Sequence, residues 1–142
     1  MDDCIFCKIV KGEIPCYKIY EDDEFLAFLD ISEFTEGHTL VIPKQHYRFI
    51  WDVENIEGYG NTVKKICNHF TNELGYKYVD TLSFGRMVPH AHIHLVPHNN
   101  GENSWEEALE EIGKMQSDES RRLTREKGIE MQKRFTLIRE KL

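Results

Sequence analysis

The longest regular pattern in the chain runs over residues 52–74. There Val53, Ile56, Tyr59, Val63, Ile66, Phe70 and Leu74 recur at steps of three and four. That spacing puts the apolar side chains on one stripe of a single helix. Gly58 and Gly60 weaken its first turns, and Gly75 stands where a left-handed residue would close it. Ahead of the helix, short apolar runs between turn residues predict strands over 17–20, 24–29 and 38–42. Glu21-Asp22-Asp23 joins the first two as a hairpin, and Lys11-Gly12-Glu13-Ile14-Pro15 reads as a turn. Two further strands are predicted over 78–86 and 89–97, followed by a turn at Asn99-Asn100-Gly101. In the second of these, histidines at 90, 92 and 94 alternate with Ala91, Ile93 and Leu95. Period-two alternation sets all three imidazoles on one face of the strand.

Beyond the turn the pattern is helical. Ser104 with Glu107 forms a capping box for a short helix carrying Trp105, Ala108, Leu109 and Ile112. Residues 118–142 carry only a sparse stripe of Leu123, Met131, Phe135 and Ile138. Strands grouped apart from these helices predict an α+β fold. Its parts are an antiparallel sheet of about five strands, one long helix and additional C-terminal helices. A chain of 142 residues fits a single domain, with 1–101 as its core and 102–142 as a helical extension.

Charge narrows the partners. The formal net charge is -7, which disfavours binding to a nucleic-acid polymer, because that depends on a basic surface. A small phosphorylated ligand remains compatible, since a few aimed donors hold one phosphate. No apolar run approaches the roughly 18 residues that span a bilayer, so no membrane partner is expected. The start Met1-Asp2-Asp3-Cys4 lacks the basic and apolar regions of a signal peptide. A cytoplasmic location is therefore expected, and there the four cysteines read as thiols or metal ligands before disulfides.

The run His90-Ala91-His92-Ile93-His94 is the strongest chemical signal. Three rings on one face are costly to bury without partners. They fit a polar solvent-facing strand, a metal site built from the rings, or nucleophilic catalysis in which one imidazole attacks and its neighbours set its tautomer. Cys4-x-x-Cys7 is the second signal, because cysteines at that spacing reach one tetrahedral zinc when two more ligands are supplied. Cys16 and Cys67 lack such spacing, and His69 and His98 read as surface residues.

His90-Ala91-His92-Ile93-His94-Leu95-Val96 resembles the motif of the histidine triad (HIT) family. Cys4-Ile5-Phe6-Cys7-Lys8-Ile9, Gly12-Glu13-Ile14-Pro15, Phe28-Leu29-Asp30-Ile31 and Gly37-His38-Thr39-Leu40-Val41-Ile42-Pro43-Lys44 resemble its bacterial nucleotide-binding branch. The resemblance reaches from Cys4 to Pro97. It implies a HIT-like fold and an enzyme cleaving a bond at a nucleotide α-phosphate through a covalent nucleotidyl-histidine on His92. His94 would contact phosphate or leaving group, and His90 completes the triad. By the same resemblance Asp30 accepts from the ribose hydroxyls, while Ile5, Phe6, Ile14 and Ile31 line the base site. A structural zinc would be held by Cys4, Cys7, His46 and His90. The expected ligand is a purine nucleotide or a nucleotide-derived small molecule. The implied assembly is a homodimer pairing the long helix and a strand across a two-fold axis, with the 52–74 stripe and the C-terminal helices available for it.

The chain departs from these relatives just before the triad. Many carry Gly-Gln-Ser there, whereas this chain reads Gly85-Arg86-Met87-Val88-Pro89. Met87 cannot donate the serine's hydrogen bond. An asparagine usual in the preceding loop is also missing, with Thr81 or Ser83 as stand-ins. Arg86 could contribute a positive charge near the phosphates and favour a polyphosphate leaving group. Three readings follow: a nucleoside phosphoramidase or dinucleoside polyphosphate hydrolase, a non-catalytic nucleotide-binding regulatory module, or a zinc-dependent hydrolase using the triad as metal ligands.

Overall fold

The computed structural model describes residues 3–137. Five strands, β1 (Lys18–Glu21), β2 (Phe25–Leu29), β3 (Thr39–Pro43), β4 (Tyr78–Leu82) and β5 (Ile93–His98), form one sheet in the order β1-β2-β3-β5-β4. Every neighbouring pair is antiparallel. Helix α1 (Ile5–Val10) precedes the sheet, α2 (Ile56–Asn68) lies between β3 and β4, and α3 (Asn103–Ser117) and α4 (Arg125–Phe135) follow it. This is the expected α+β architecture.

The central strands β2 and β3 are apolar except for Thr39, because both faces of the sheet are covered. On one face Phe25, Ala27, Val41, Ala91 and Leu95 meet Tyr59, Ile66 and Phe70 of the α2 region. On the other, Leu26, Phe28, Leu40 and Ile42 meet Cys4, Phe6, Cys7 and Ile9 of the α1 arm. Val53, Tyr59, Ile66 and Phe70 of the helical stripe are thus buried within the chain, whereas Ile56 and Leu74 at its ends are exposed. Tyr59 is its anchor: the ring stacks on Phe25 at 5.3 Å and the hydroxyl donates to the Val41 carbonyl at 2.6 Å.

Four elements differ from expectation by more than a residue, among them β5, which begins at Ile93 and not at 89. The long helix begins at Ile56, where Asn55 caps it by accepting from the Gly58 amide at 3.0 Å, and a 3-10 turn (Ile50–Asp52) precedes it. It closes through a π turn (His69–Glu73) that keeps Phe70 buried, and Gly75 follows at φ 82°. Strand pairing fails between Leu82 and Ile93, so β4 is shorter than 78–86 and only His94 of the triad sits in the ladder. Gly85, at φ 68°, turns the chain away, and Pro89 has no amide to donate. The alternation nevertheless persists through 90–95, with Ala91, Ile93 and Leu95 on the α2 side. Helix α3 starts at Asn103, one residue before Ser104, and runs for 15 residues rather than one short segment.

The chain divides into two compact units after Trp105. Among the described residues of the second unit none is buried, and Leu123, Ile129 and Phe135 are exposed. Ile138, the last member of the expected stripe, lies outside the described residues. No helix among the described residues is long and apolar enough to cross a membrane.

Candidate active site

A cavity of about 410 Å³ opens on the α1 side of the sheet, a size suited to a nucleotide-sized ligand. Ile5, Phe6, Ile14, Asp30 and Ile31 all line it, together with His92 and His94. Phe6 stands edge-on to His92, with ring centroids 5.3 Å apart. Ile31 is 86 % exposed, so it forms the rim rather than the wall. Arg86 is exposed and is not among the lining residues, whereas Met87 and Phe84 are. The positive charge expected beside the phosphates is therefore absent from the lining.

The three triad rings have separate tasks. His92 donates from Nδ1 to the His90 carbonyl at 2.8 Å, which leaves a lone pair on Nε2. Ser83, one of the two suggested stand-ins, donates its hydroxyl to the His92 carbonyl at 2.8 Å. Thr81 is paired with Leu95 in the ladder instead. The carbonyl of Gly85 accepts from Arg48 at 2.8 Å, holding the segment that leads to the triad.

His94 belongs to a relay that the sequence did not reveal. The Phe34 amide donates to His38 Nδ1 at 3.0 Å, so His38 carries its proton on Nε2 and donates it to His94 Nδ1 at 2.9 Å. Neutral His94 must then present an Nε2–H donor. Burial pushes the His94 imidazole down to about 4, with the His92 and His38 charges acting the same way and Asp30 opposing. Burial also lowers His38, against Asp30 and Glu33. Asp30 lies 3.7 Å from His38 Nε2 and accepts from the Ser32 amide at 2.8 Å. Gly37 sets the approach to His38. Its φ is 88°, and a Cβ there would come within 3.2 Å of Pro97. The only local sign of His38's role is a buried polar residue opening an apolar run.

His90 turns the other way. Its Nε2–H donates to the Pro43 carbonyl at 2.8 Å, and Nδ1 faces Cys4 Sγ at 3.3 Å and Cys7 Sγ at 3.5 Å. Cys7 Sγ is 3.2 Å from His46 Nδ1, and the four donor atoms all lie within 4.8 Å of one another. Two thiols and two imidazole nitrogens suit tetrahedral zinc, and a carbonyl-bound far nitrogen is the usual support of a ligating histidine. Burial, then the Cys4 hydrogen bond and charge, push the Cys7 thiol up to about 11, so ligation there must displace a proton. Burial holds His90 down at about 4, which leaves it neutral and able to ligate. Among the described residues no donor cluster contains all three triad rings.

His98 is not a surface residue. It is 4 % exposed, stacks on Tyr78 at 5.2 Å and pairs with Asp80 at 2.8 Å. His69 is exposed as expected, bonded to Glu73.

Comparisons with known proteins agree with this geometry. The HIT domain model matches residues 11–101. The protein hit of Bacillus subtilis is 43 % identical over 103 residues, covering 68 % of this chain and 71 % of the relative. The adenosine 5'-monophosphoramidase hnt1 of Schizosaccharomyces pombe is 42 % identical over 106 residues, covering 70 % and 77 %. A crystal structure of a HIT family member from Bacillus subtilis superposes with a TM-score of 0.67 at 34 % identity, covering 86 % of this chain and 98 % of that one. This chain belongs to the HIT family, on the bacterial branch that its N-terminal and Gly37–Lys44 blocks indicated.

Proposed function

We propose that this protein is a nucleotide hydrolase that cleaves at the α-phosphorus through a covalent nucleotidyl-histidine on His92. The observation that carries the reading is the bond from His92 Nδ1 to the His90 carbonyl, which frees Nε2 as a nucleophile within a ligand-sized cavity. Nε2 donates its electron pair to form the N–P bond, and the P–X bond breaks with its electrons leaving on X. The Nε2–H of His94 is the donor on hand to hydrogen-bond the phosphate or leaving group. X takes up a proton from solvent as it leaves; water then forms a P–O bond and returns a proton to solvent, the N–P pair returns to Nε2, and the nucleoside monophosphate departs. Splitting the displacement in this way replaces one hard step with two easier ones.

Ile5, Phe6 and Ile14 offer apolar surfaces to the base, with Ile31 at the rim, and Asp30 is suited to accept from the ribose hydroxyls. Nucleoside phosphoramidates and dinucleoside polyphosphates are the two substrate classes. The monophosphoramidase relative supports the first; Arg86, which would favour the second, is exposed and flanked by the lining residues Gly85 and Met87. Cys4, Cys7, His46 and His90 would hold a structural zinc, whose chemistry is to tie the α1 arm to the triad segment. The natural setting is the cytoplasm, where thiols stay reduced.

The test is intact mass after brief incubation with adenosine phosphoramidate and an alkaline quench. An added adenylyl group, absent in His92→Ala, is expected, with turnover in that variant reduced roughly 10⁴-fold or more. Full activity in His92→Ala would rule the mechanism out. Turnover that stops at once on chelation, without any adduct, would point instead to metal-dependent hydrolysis. Tight nucleotide binding with neither adduct nor turnover would make the protein a sensor.

A further inference from the structure

We propose that Trp105 is a positioning residue for the active site, acting through Phe34 on the His38–His94 relay. This rests on the reading of the site given above. Trp105 lies beyond the stretch matched by the HIT model and is the one buried residue of α3. Its indole stacks on Phe34 with ring centroids 5.2 Å apart and planes 10° off parallel. Phe34 in turn stacks on His38 at 4.5 Å and faces His94 at 6.1 Å. The Phe34 amide fixes the His38 tautomer, and with it the donor that His94 presents. A residue that sets Phe34 therefore sets which nitrogen of His94 carries hydrogen.

The surroundings of Trp105 are built rather than incidental. The indole N–H donates to Asp80 Oδ2 at 2.9 Å, and the same oxygen is 2.8 Å from His98 Nε2. A carboxylate shared by two donors fixes the indole plane as well as its position. The loop is fastened beside Phe34 by Thr35, whose hydroxyl donates to the Pro97 carbonyl at 2.7 Å. Phe34 itself is 36 % exposed and borders the cavity, so without the indole one face of its ring has no packing partner of this kind. Small displacements of groups that orient a reacting centre cost one to two orders of magnitude in rate.

The experiment uses the full chain and two readouts: turnover of adenosine phosphoramidate, and the ring nitrogen-15 signals of His38 and His94. Trp105→Leu is expected to lower kcat about tenfold or more with KM unchanged, and to shift both histidine signals away from their single-tautomer positions. Trp105→Phe keeps a ring over Phe34 and is expected to recover most of kcat. If Trp105→Leu fails to fold, Phe34→Leu removes the same stack from its other side and must give the same shift of both histidine signals. Unchanged kcat and unchanged ring signals would overturn the proposal. So would an equal loss in Trp105→Phe and Trp105→Leu, which would assign the effect to the Asp80 bond alone. If the wild-type protein forms no nucleotidyl adduct, the reaction reading fails, and the ring signals alone decide whether Trp105 sets the relay.

Discussion

At the scale of single residues, the site depends on imidazoles kept neutral by burial. His94 is held at about 4 and His38 is also lowered, so in the unfolded chain both take up protons first as pH falls. Their contribution to stability is complete above about pH 6.5, the ordinary imidazole value, and is lost as pH falls toward the folded value. For His94 alone the loss by pH 4 is on the order of 3 kcal/mol at most. Urea unfolding at pH 7 and pH 5 should show a clear drop for the wild type and a smaller one for His94→Gln. Equal drops would mean that His94 is not held neutral. His92 was legible from its motif, but His38 was not. Its partner is 56 positions away, and period-two patterning reports faces, not partners across the sheet. His98 was misread for the same reason: it follows a proline near a turn, and only the fold brings Asp80 to it.

At the scale of elements, α1 is too short to be stable by itself. It is held by Phe6 and Ile9 in the lower core and by the thiols at its start. Zinc on Cys4, Cys7, His46 and His90 would fasten three separate segments: the arm, the end of β3 and the approach to β5. Elemental analysis of protein purified without chelator is expected to give about one zinc per chain, lost in Cys4→Ser. Chelation should lower Tm and raise KM for the nucleotide, because Phe6 and Ile5 ride on α1, while kcat changes little. A metal-free preparation whose Tm ignores chelator would refute the site. Most elements were readable here, since β2 and β3 are short apolar runs buried on both faces and α2 carries a helical period. The break between Leu82 and Ile93 was not. Alternation continues through an extended segment whether or not its amides find partners, so side-chain pattern cannot tell ladder from loop.

At the scale of the whole molecule, the open question is how a second copy would join. The middle of the stripe expected to share a two-fold interface packs on its own sheet through Tyr59 and Ile66, while Ile56 and Leu74 at its ends are exposed. The sheet leaves two edges, β1 and β4. β1 is guarded in the usual ways: it is short, carries Lys18 and Glu21, and has a register irregularity between Lys18 and Tyr20. β4 has no register irregularity. Its one charge, Asp80, is already engaged by His98 and Trp105, and Phe84 and Met87 just beyond it are exposed. A regular edge beside exposed apolar residues favours pairing β4 with β4 of another chain, which would extend the antiparallel sheet through the two-fold axis. Light scattering of the full chain should therefore give twice the mass of one chain. Hydrogen exchange should show the outward amides of β4 protected, and that protection should fade on dilution as dimers dissociate. A monomer at every concentration, with those amides exchanging freely, would end the dimer expectation, and each cavity would then have to work with the residues of one chain alone.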